Sequence, residues 1–267
     1  MIFIVPLKSA QVSRDWSLAS ALCERTLRSV CAQTSGDFCV TLVCHEPPRM
    51  SFRHPSLEIV SRPDLPIPTS LAEQRHDKWV KARIGLLTQR PRAPFHAMIM
   101  DADDCVSNRL AGWVASHPDS PGWYFDRGYV HDEGTRTLFV HRHRFDLMCG
   151  TSSILRCVSN EIPNGLEGPV TSYPMLRYGH SKIVDHMQSV GRPLCRLPFC
   201  GAVYIRNAGE TLSDFTLSRW RSRRIAIRKL FSTRRLTSRL AAEYGLYPLP
   251  AATLSPAPVQ PGSGTAS

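Results

Sequence analysis

The hydrophobic positions of the first 100 residues fall into short runs, separated by longer stretches with a helical repeat. Four runs rich in β-branched and aromatic residues predict buried strands at Ile2–Val5, Phe38–Cys44, Leu57–Val60 and Phe95–Met100. Helices are predicted over Leu18–Val30, where apolar residues recur at helical spacing, and over Leu71–Gln89. This order predicts an α/β fold class in which helices flank a mostly parallel central sheet.

The patterns in the second half of the chain are more mixed. Runs at Trp123–Val130 and Thr137–Val140 flank a turn at Asp132-Glu133-Gly134, which predicts a β-hairpin. A helix is predicted over Ile183–Val190, and a late strand over Pro198–Ile205. No internal repeat is visible, and we assign residues 1–212 to one domain.

The fourth predicted strand ends in three carboxylates. Asp101 and Asp103 are two residues apart, with only the small Ala102 between them, so both can turn toward the sheet edge where α/β proteins bind ligands. Carboxylates this close repel, and Mg²⁺ or Mn²⁺ relieves the repulsion by binding carboxylate oxygens, water and substrate phosphates. The pattern indicates a metal–diphosphate site. The alternative is a polar turn that caps the next helix through Asp104 or Ser107.

Basic residues on the second predicted helix have two interpretations. Positions 74, 78 and 81 share one helix face by the three-and-four spacing rule. Lys78 and Lys81, with Arg83 close by in sequence, can therefore line a phosphate crevice. The alternative is a solvated helix face, and the residues alone do not decide between the two.

A turn of small residues begins at Gly150. Glycine allows the backbone to approach a ligand closely. The hydroxyl groups of Thr151 and Ser152 can donate hydrogen bonds to a sugar or a phosphate. The turn leads into an apolar stretch and is a candidate binding loop.

Positive charge is concentrated near the carboxyl terminus. The net charge is +11, but Arg219–Arg239 contains nine Arg and Lys residues and no acid, so the rest of the chain is nearly neutral. Apolar residues alternate with these cations over Trp220–Leu240, which predicts a basic amphipathic helix. Such a helix fits an anionic lipid surface, at about 1 kcal/mol per basic residue, and nucleic-acid phosphate would attract it equally. The alternative is a solvated helix clamped on the domain by its apolar stripe. We assign residues 213–248 to this extension and residues 249–267 to a disordered tail.

Composition places the chain among globular proteins of a reducing compartment. It has 267 residues, of which 42% are apolar. The nine cysteines form no CxxC pair, so we expect reduced thiols and neither a disulfide framework nor a zinc site. We expect no leader sequence, because the first residues show no basic region followed by a cleavable apolar core, and no apolar run reaches the about 20 residues that span a membrane. We expect a cytoplasmic protein, peripheral at the inner face of the membrane if the extension binds lipid.

The order of these parts resembles the GT-A nucleotide-sugar glycosyltransferases, in particular the inverting family 2 and bacterial glycosyl or rhamnosyl transferases. The resemblance covers about residues 1–210. The segments similar to family motifs are Ile2–Pro6, Arg28–Gln33 with Phe38–Cys44, Lys81–Gly85, Asp101–Asp104 and Gly150–Arg156. Each motif is short, so the resemblance depends on their order and spacing.

The resemblance implies a GT-A nucleotide-diphospho-sugar transferase fold and metal-dependent transfer of a sugar to a hydroxyl acceptor. The donor would be a UDP-, GDP- or dTDP-sugar, and the acceptor a glycan or glycolipid of surface polysaccharide or glycolipid synthesis. Mn²⁺ or Mg²⁺ would be held by Asp101 and Asp103. The implied donor-binding residues are Pro6, Glu46, Lys78, Lys81, Arg83, Asp101 and Ala102, and the implied acceptor-side residues are Gly150, Thr151 and Ser152.

The chain departs from the family pattern at the catalytic base. Where the family has a GED triplet whose Asp is the base, this chain has Tyr178–Ser181. His180, an imidazole with a pKa of about 6.5, can deprotonate an acceptor hydroxyl. Alternatively, His180 is a metal or diphosphate ligand and Asp185 is the base, or His180 only starts a helix. Asn207 stands near the place of the late histidine that completes the family's metal site.

Two other functions compete with glycosyl transfer. A nucleotidyltransferase of related fold is disfavoured, because the loop Leu7–Gln11 after the first strand has no glycine to cradle phosphates. A non-catalytic protein of the same fold would bind nucleotide sugar, anionic lipid or nucleic acid. We expect the membrane rather than nucleic acid as the partner of Arg219–Arg239.

Overall fold

The computed structural model describes residues 1–169, 173–206, 208–210 and 232–249. These residues form two β-sheets with helices packed on them. The strands are β1 (Ile2–Pro6), β2 (Cys39–Cys44), β3 (Leu57–Ser61), β4 (Phe95–Ile99), β5 (Cys105–Val106), β6 (Gly122–Tyr124), β7 (Gly128–Asp132), β8 (Thr137–His141), β9 (Ser153–Cys157), β10 (Cys195–Arg196), β11 (Ala202–Arg206) and β12 (Thr233–Arg235). The helices are α1 (Trp16–Cys31), α2 (Leu71–Gln89), α3 (Leu110–Ala115), α4 (Pro174–Arg177), α5 (His180–Ser189) and α6 (Ser238–Tyr244).

The first sheet has seven strands in the order β10-β6-β9-β4-β1-β2-β3. Strands β4, β1, β2 and β3 run parallel, while β9 runs antiparallel to both β4 and β6. The four strands predicted from the first 100 residues are all present, and the prediction of a mostly parallel central sheet is confirmed.

Strand β1 is buried on both faces, which explains its unbroken apolar sequence. Phe3 and Val5 belong to the same apolar cluster as residues of α1, whereas Ile2 and Ile4 belong to the cluster of α2. Side chains alternate between the faces of a strand, so one five-residue run supports a helix on each side. The predicted layering of helices on both faces of the sheet is confirmed.

Local sequence signals set the beginnings of the two long helices. The carboxylate of Asp15 accepts hydrogen bonds from the backbone N–H groups of Ser17 and Leu18 at the start of α1. At the start of α2, the Ser70 hydroxyl accepts from the N–H of Glu73. Helix α2 covers the residues predicted for it.

The second sheet has five strands in the order β12-β8-β7-β11-β5 and was not predicted. The predicted hairpin is present as β7 and β8. However, the single run predicted over Trp123–Val130 is wrong, because Gly122–Tyr124 pairs with β9 in the first sheet and Gly128–Asp132 lies in the second. The polar pair Asp126-Arg127 lies where the chain passes from one sheet to the other.

The carboxyl-terminal segment differs from the predicted basic helix. Residues 219–231 lie outside the described part, so Arg219 itself and most of its neighbours are untested. Thr233–Arg235 forms an edge strand antiparallel to β8, and α6 is a separate helix that ends at Gly245, so one helix over 220–240 is wrong for the described residues. Pairing with an open sheet edge overrides local helical periodicity here.

Leu249, predicted to begin the disordered tail, is buried beside Leu246, while residues 250–267 lie outside the described part.

Two further sequence expectations concern thiols and membranes. All nine cysteines are free thiols in the structure. Among the described residues, no helix combines the length and the apolar character needed to cross a bilayer.

A glycine at the start of β6 provides a test of the packing between strands. Gly122 has a φ of +136°, and a Cβ there would lie 2.1 Å from the carbonyl oxygen of Ile154 on β9. We expect Gly122→Ala to lower the free energy of unfolding by about 2–4 kcal/mol, since backbone strain and a backbone clash combine. Equilibrium urea unfolding measures the change.

Gly134→Ala is the control for this prediction. Gly134 also has a positive φ, +78°, but a Cβ would meet no atom within 4 Å. This change should cost only the intrinsic left-handed penalty of about 1–2 kcal/mol. Equal losses for the two variants would contradict the proposed clash with β9.

Candidate active site

A cleft of about 410 Å³ opens at the carboxyl ends of β1 and β4. Pro6 at the end of β1, Ala102 after β4, and residues of α2 and of the start of α5 line it. The chain leaves β1 toward β2 on one side, while β4 lies on the other side of β1, so the cleft lies where the strand order reverses. Ligands of open α/β sheets bind at such switch points.

The acidic strand end divides between the cleft and the core. Asp101 and Asp103 line the cleft, as predicted. Asp104 is fully buried and accepts hydrogen bonds from the Ile205 N–H at 3.1 Å and from the Cys149 thiol at 3.3 Å. Burial, together with the charges of Asp103 and Asp101, raises the pKa of the Asp104 carboxyl.

The alternative that Asp104 caps the next helix is wrong, because its carboxylate accepts from Ile205 and Cys149 instead. The N-cap of α3 is Arg109, which makes no side-chain capping hydrogen bond. The Ser107 hydroxyl accepts from the N–H of Arg109 at 3.3 Å, just before the helix, and donates to Glu243 Oε1 at 2.9 Å. The three carboxylates therefore do not serve as a helix start.

The loop after Cys149 fixes the position of Asp101. The backbone N–H of Asp101 donates to Thr151 Oγ1 at 2.9 Å, and Thr151 is fully buried outside the cleft lining. Gly150 lines the cleft, and a Cβ on it would lie 2.5 Å from Asp101 Oδ2. A side chain at position 150 would therefore displace the Asp101 carboxylate. Ser152 is buried and does not line the cleft, so only Gly150 of the predicted acceptor-side residues reaches it.

Lys78 pairs with Asp101 inside the cleft. The ammonium group of Lys78 donates to Asp101 Oδ1, and about a third of each side chain remains exposed. Burial lowers the pKa of Lys78, but the charges of Asp101, Asp104 and Asp103 outweigh it, and the net shift is upward. Lys78 is therefore a charged counter-ion of the whole acidic turn.

The other two predicted cations of α2 are bound by acceptors of the protein itself. Lys81 lines the cleft, but its side chain is fully buried and donates to Leu7 O and Asp77 Oδ2, both at 2.6 Å, which holds the end of β1. Desolvation outweighs the Asp77 interaction and lowers the pKa of Lys81. Arg83 lies outside the cleft lining, and its guanidinium donates to backbone carbonyls within residues 165–168.

Glu46 stabilises the loop that follows β1. Its carboxylate accepts hydrogen bonds from the hydroxyl of Ser9, at 3.2 Å, and from the N–H of Ala10. Glu46 is half-buried and is not part of the cleft lining, so the structure does not bring it to the other predicted donor residues.

The two candidate bases on α5 differ in position. His180, the first residue of the helix, lines the cleft, whereas Asp185 is exposed and does not line it. Burial lowers the pKa of His180, Lys78 lowers it further, and Asp101, a backbone hydrogen bond at Leu147 and Asp146 oppose the shift. The net shift is downward, so His180 is a neutral imidazole at pH 7, able to accept a proton.

Several lining residues are not among the predicted site residues. Arg75 is exposed at the cleft and, among the residues that the structure describes, has no ion-pair partner. Trp79 adds an aromatic wall beside Lys78. Lys8 pairs with Glu210, a contact across 202 positions of sequence that no local pattern signals. Arg75 belongs to the predicted helix, so its helical spacing from Lys78 and Trp79 was the signal available.

The donor set of the cleft suits a divalent cation shared with a phosphate ligand. Within the described part of the chain, no group of three or more His, Cys, Asp and Glu side chains forms a complete metal site. Asp101 and Asp103 nevertheless supply carboxylate oxygens on one cleft wall, and the Lys78 ammonium already occupies one of them as a cation. Mg²⁺ typically takes only one or two carboxylates together with substrate phosphates. Asn207 lies outside the described residues.

Fold and site together define an α/β protein with a polar, charge-paired cleft at its sheet edge. No protein-family model and no curated protein matches the chain. Two solved structures of S. aureus TarS are similar to it. The structure of TarS 1–349 has 11% identity and a TM-score of 0.44 over 76% of this chain and 60% of that one. The second TarS structure has 12% identity and a TM-score of 0.42 over 76% and 36%. The chain thus spans less than two thirds of either TarS structure.

The environment of His180 is open to a direct titration. We expect its pKa to lie below the ordinary value of about 6.5 in the wild-type protein. Asp101→Asn removes a charge that raises this pKa and should lower it further, whereas Lys78→Met removes a charge that lowers it and should raise it. NMR titration of the histidine ring protons measures both shifts.

Asp185→Asn is the control for the titration. Asp185 is exposed on the same helix and does not line the cleft, so its removal should leave the pKa of His180 unchanged. Shifts of the same sign in Asp101→Asn and Lys78→Met would show that His180 does not lie between these opposite charges.

Proposed function

We propose that the protein transfers a sugar from a nucleotide-sugar donor to a hydroxyl group of an acceptor. The observation that carries this proposal is the convergence of Asp101, Asp103, Lys78 and His180 on one cleft at the sheet edge. Paired carboxylates and cations suit a nucleoside diphosphate, and a neutral imidazole suits a proton acceptor. The resemblance of the sequence motifs to GT-A family 2 agrees with this chemistry.

The donor diphosphate is the group that the charges of the cleft fit. Arg75 and Lys78 would bind its oxygens, since Arg75 is exposed at the cleft and Lys78 is partly exposed. Asp101 and Asp103 would hold Mn²⁺ or Mg²⁺. That cation, when bound, supplies positive charge that stabilises the diphosphate as a leaving group. Pro6 and Ala102 would contact the nucleoside through their backbone.

The acceptor hydroxyl would react beside His180. The imidazole takes the hydroxyl proton as the acceptor oxygen bonds to the anomeric carbon, and the bond from that carbon to the diphosphate oxygen breaks. Attack from the side opposite the leaving group inverts the anomeric centre. Gly150 and Trp79 would shape the acceptor wall, which fits a sugar hydroxyl of a glycan or glycolipid. We keep an anionic membrane surface as the proposed partner of the basic segment Arg219–Arg239.

Thermal melting against UDP-, GDP- and dTDP-sugars, each with and without Mn²⁺, tests the donor site. A ligand that binds only the folded protein raises the melting temperature by mass action. We expect one nucleotide class to give a shift that depends on Mn²⁺ and is lost in Asp103→Asn. No shift with any donor would favour the non-catalytic alternative for this fold.

With the donor identified by melting, variants of the two candidate bases separate donor binding from turnover. His180→Gln should keep the melting shift and lose turnover by about 10²–10⁴-fold, the range for removal of a general base. Asp185→Asn should retain both, because Asp185 lies outside the cleft lining. Full loss of turnover in Asp185→Asn, with activity kept in His180→Gln, would exchange the two roles.

Gly150→Ala tests the approach of the loop to Asp101. The new Cβ would push Asp101 Oδ2 aside, and Lys78 Nζ would be 3.4 Å from it. A side-chain end moves at little cost, so the free energy of unfolding should change by less than about 1 kcal/mol, while donor affinity falls about tenfold or more. Calorimetric titration measures the affinity, and Gly36→Ala, where a Cβ meets nothing within 4 Å, is the control.

A further inference from the structure

Lys78 occupies the position at which a divalent cation would meet Asp101. Its ammonium reaches from α2 across the cleft to Asp101 Oδ1, and it lies within 3.4 Å of where a Gly150 Cβ would be. The ammonium is thus held among the helix, the strand end and the loop. An ammonium group and a metal ion compete for the same carboxylate oxygen, because each requires its negative charge.

We propose that Lys78 is an internal cation that exchanges with the divalent cation at Asp101. While it is paired with Asp101, Lys78 neutralises the carboxylate and weakens metal binding. When a diphosphate enters, its oxygens attract Lys78 away from Asp101, and the released carboxylate binds the metal. Donor and metal therefore bind cooperatively, with Lys78 as the group that couples them. This inference rests on the proposed function.

The contacts of the neighbouring cations single out Lys78 for this exchange. Lys81 is fully buried between two acceptors, so moving it would leave a desolvated charge. Lys8 pairs with Glu210, which itself accepts from the Asp15 N–H and the Ser13 hydroxyl and is not a candidate metal ligand. Lys78 combines an exposed fraction of 30% with a partner at the candidate metal position.

The proposal makes a reciprocal prediction for binding. If a nucleoside diphosphate raises the affinity for Mn²⁺ by a given factor, Mn²⁺ must raise the affinity for the nucleotide by the same factor. Part of this coupling comes from direct contact between phosphate and metal, and it survives without Lys78. The remainder comes from release of Asp101 and disappears when Lys78 cannot pair with it.

Electron paramagnetic resonance of Mn²⁺ measures metal binding without any turnover. The titration compares the wild-type chain with Lys78→Met, first with Mn²⁺ alone and then with UDP, GDP or dTDP. We expect Lys78→Met to bind Mn²⁺ alone at least about tenfold more tightly than the wild type, since a competing unit charge is removed. We also expect a smaller gain in Mn²⁺ affinity on adding nucleotide.

Three further variants control for charge, ligand identity and folding. Lys182→Met removes an exposed lysine of α5 and should bind Mn²⁺ as the wild type does. Lys78→Arg keeps a cation on Asp101, so it should bind Mn²⁺ alone as weakly as the wild type does. This comparison does not depend on whether Lys78→Met folds well. Adding Asp101→Asn to Lys78→Met should abolish the tighter binding.

The outcomes distinguish this inference from the proposed function. Two results would overturn the exchange and leave the donor site intact, provided that Mn²⁺ affinity still depends on nucleotide. In the first, Lys78→Met binds Mn²⁺ no more tightly than the wild type does. In the second, Lys78→Arg binds Mn²⁺ as tightly as Lys78→Met does. If neither the wild type nor Lys78→Met binds Mn²⁺, with or without any of the three nucleotides, then both the exchange and the metal-dependent donor site are overturned.

Discussion

The buried carboxyl of Asp104 joins the two sheets at the point where the cleft forms. It accepts a hydrogen bond from the backbone of Ile205 in β11, within the second sheet, and another from the thiol of Cys149. One side chain therefore ties the end of β4 to both the second sheet and the loop at residues 149–152. With Asp104 anchored in the core, Asp101 and Asp103 are left to face the cleft. Burial of a carboxyl is costly unless it is hydrogen-bonded, so these contacts also explain why Asp104 tolerates its site.

Much of the first sheet could be predicted from sequence, because its strands are short, continuously apolar and bounded by clear stops. The same holds for α2, whose bounds agree, and for the direction of Asp101 and Asp103. The second sheet could not be predicted, since it pairs Thr233–Arg235 with a strand about 100 residues earlier and depends on no local pattern. Arg83 shows the same limit, because its guanidinium donates hydrogen bonds to carbonyls of residues 165–168, and sequence spacing does not reveal these contacts.

Ion pairing organises the charges of the cleft. Lys8, Lys78 and Lys81 each contact a carboxylate, respectively of Glu210, Asp101 and Asp77. Pairing keeps the local charge low, so an anionic ligand that binds one of these lysines must displace the carboxylate that the lysine already contacts. The cost of displacement differs with burial, because a desolvated ammonium without a partner is far more expensive than one that can reach water. The pairs therefore differ in mobility although their chemistry is the same.

The proposed exchange at Asp101 would also affect the proposed base, His180. His180 is influenced by both members of the pair, since Asp101 raises its pKa and Lys78 lowers it. If Lys78 left Asp101 with no replacement, the carboxylate would favour the imidazolium form, which cannot accept a proton. Under the proposed function, a divalent cation in the place of Lys78 would keep positive charge next to His180, so the imidazole would stay neutral with the donor bound. A cation at Asp101 would then serve two groups at once, the diphosphate and the proposed base, because His180 lies at the start of α5 on the same cleft.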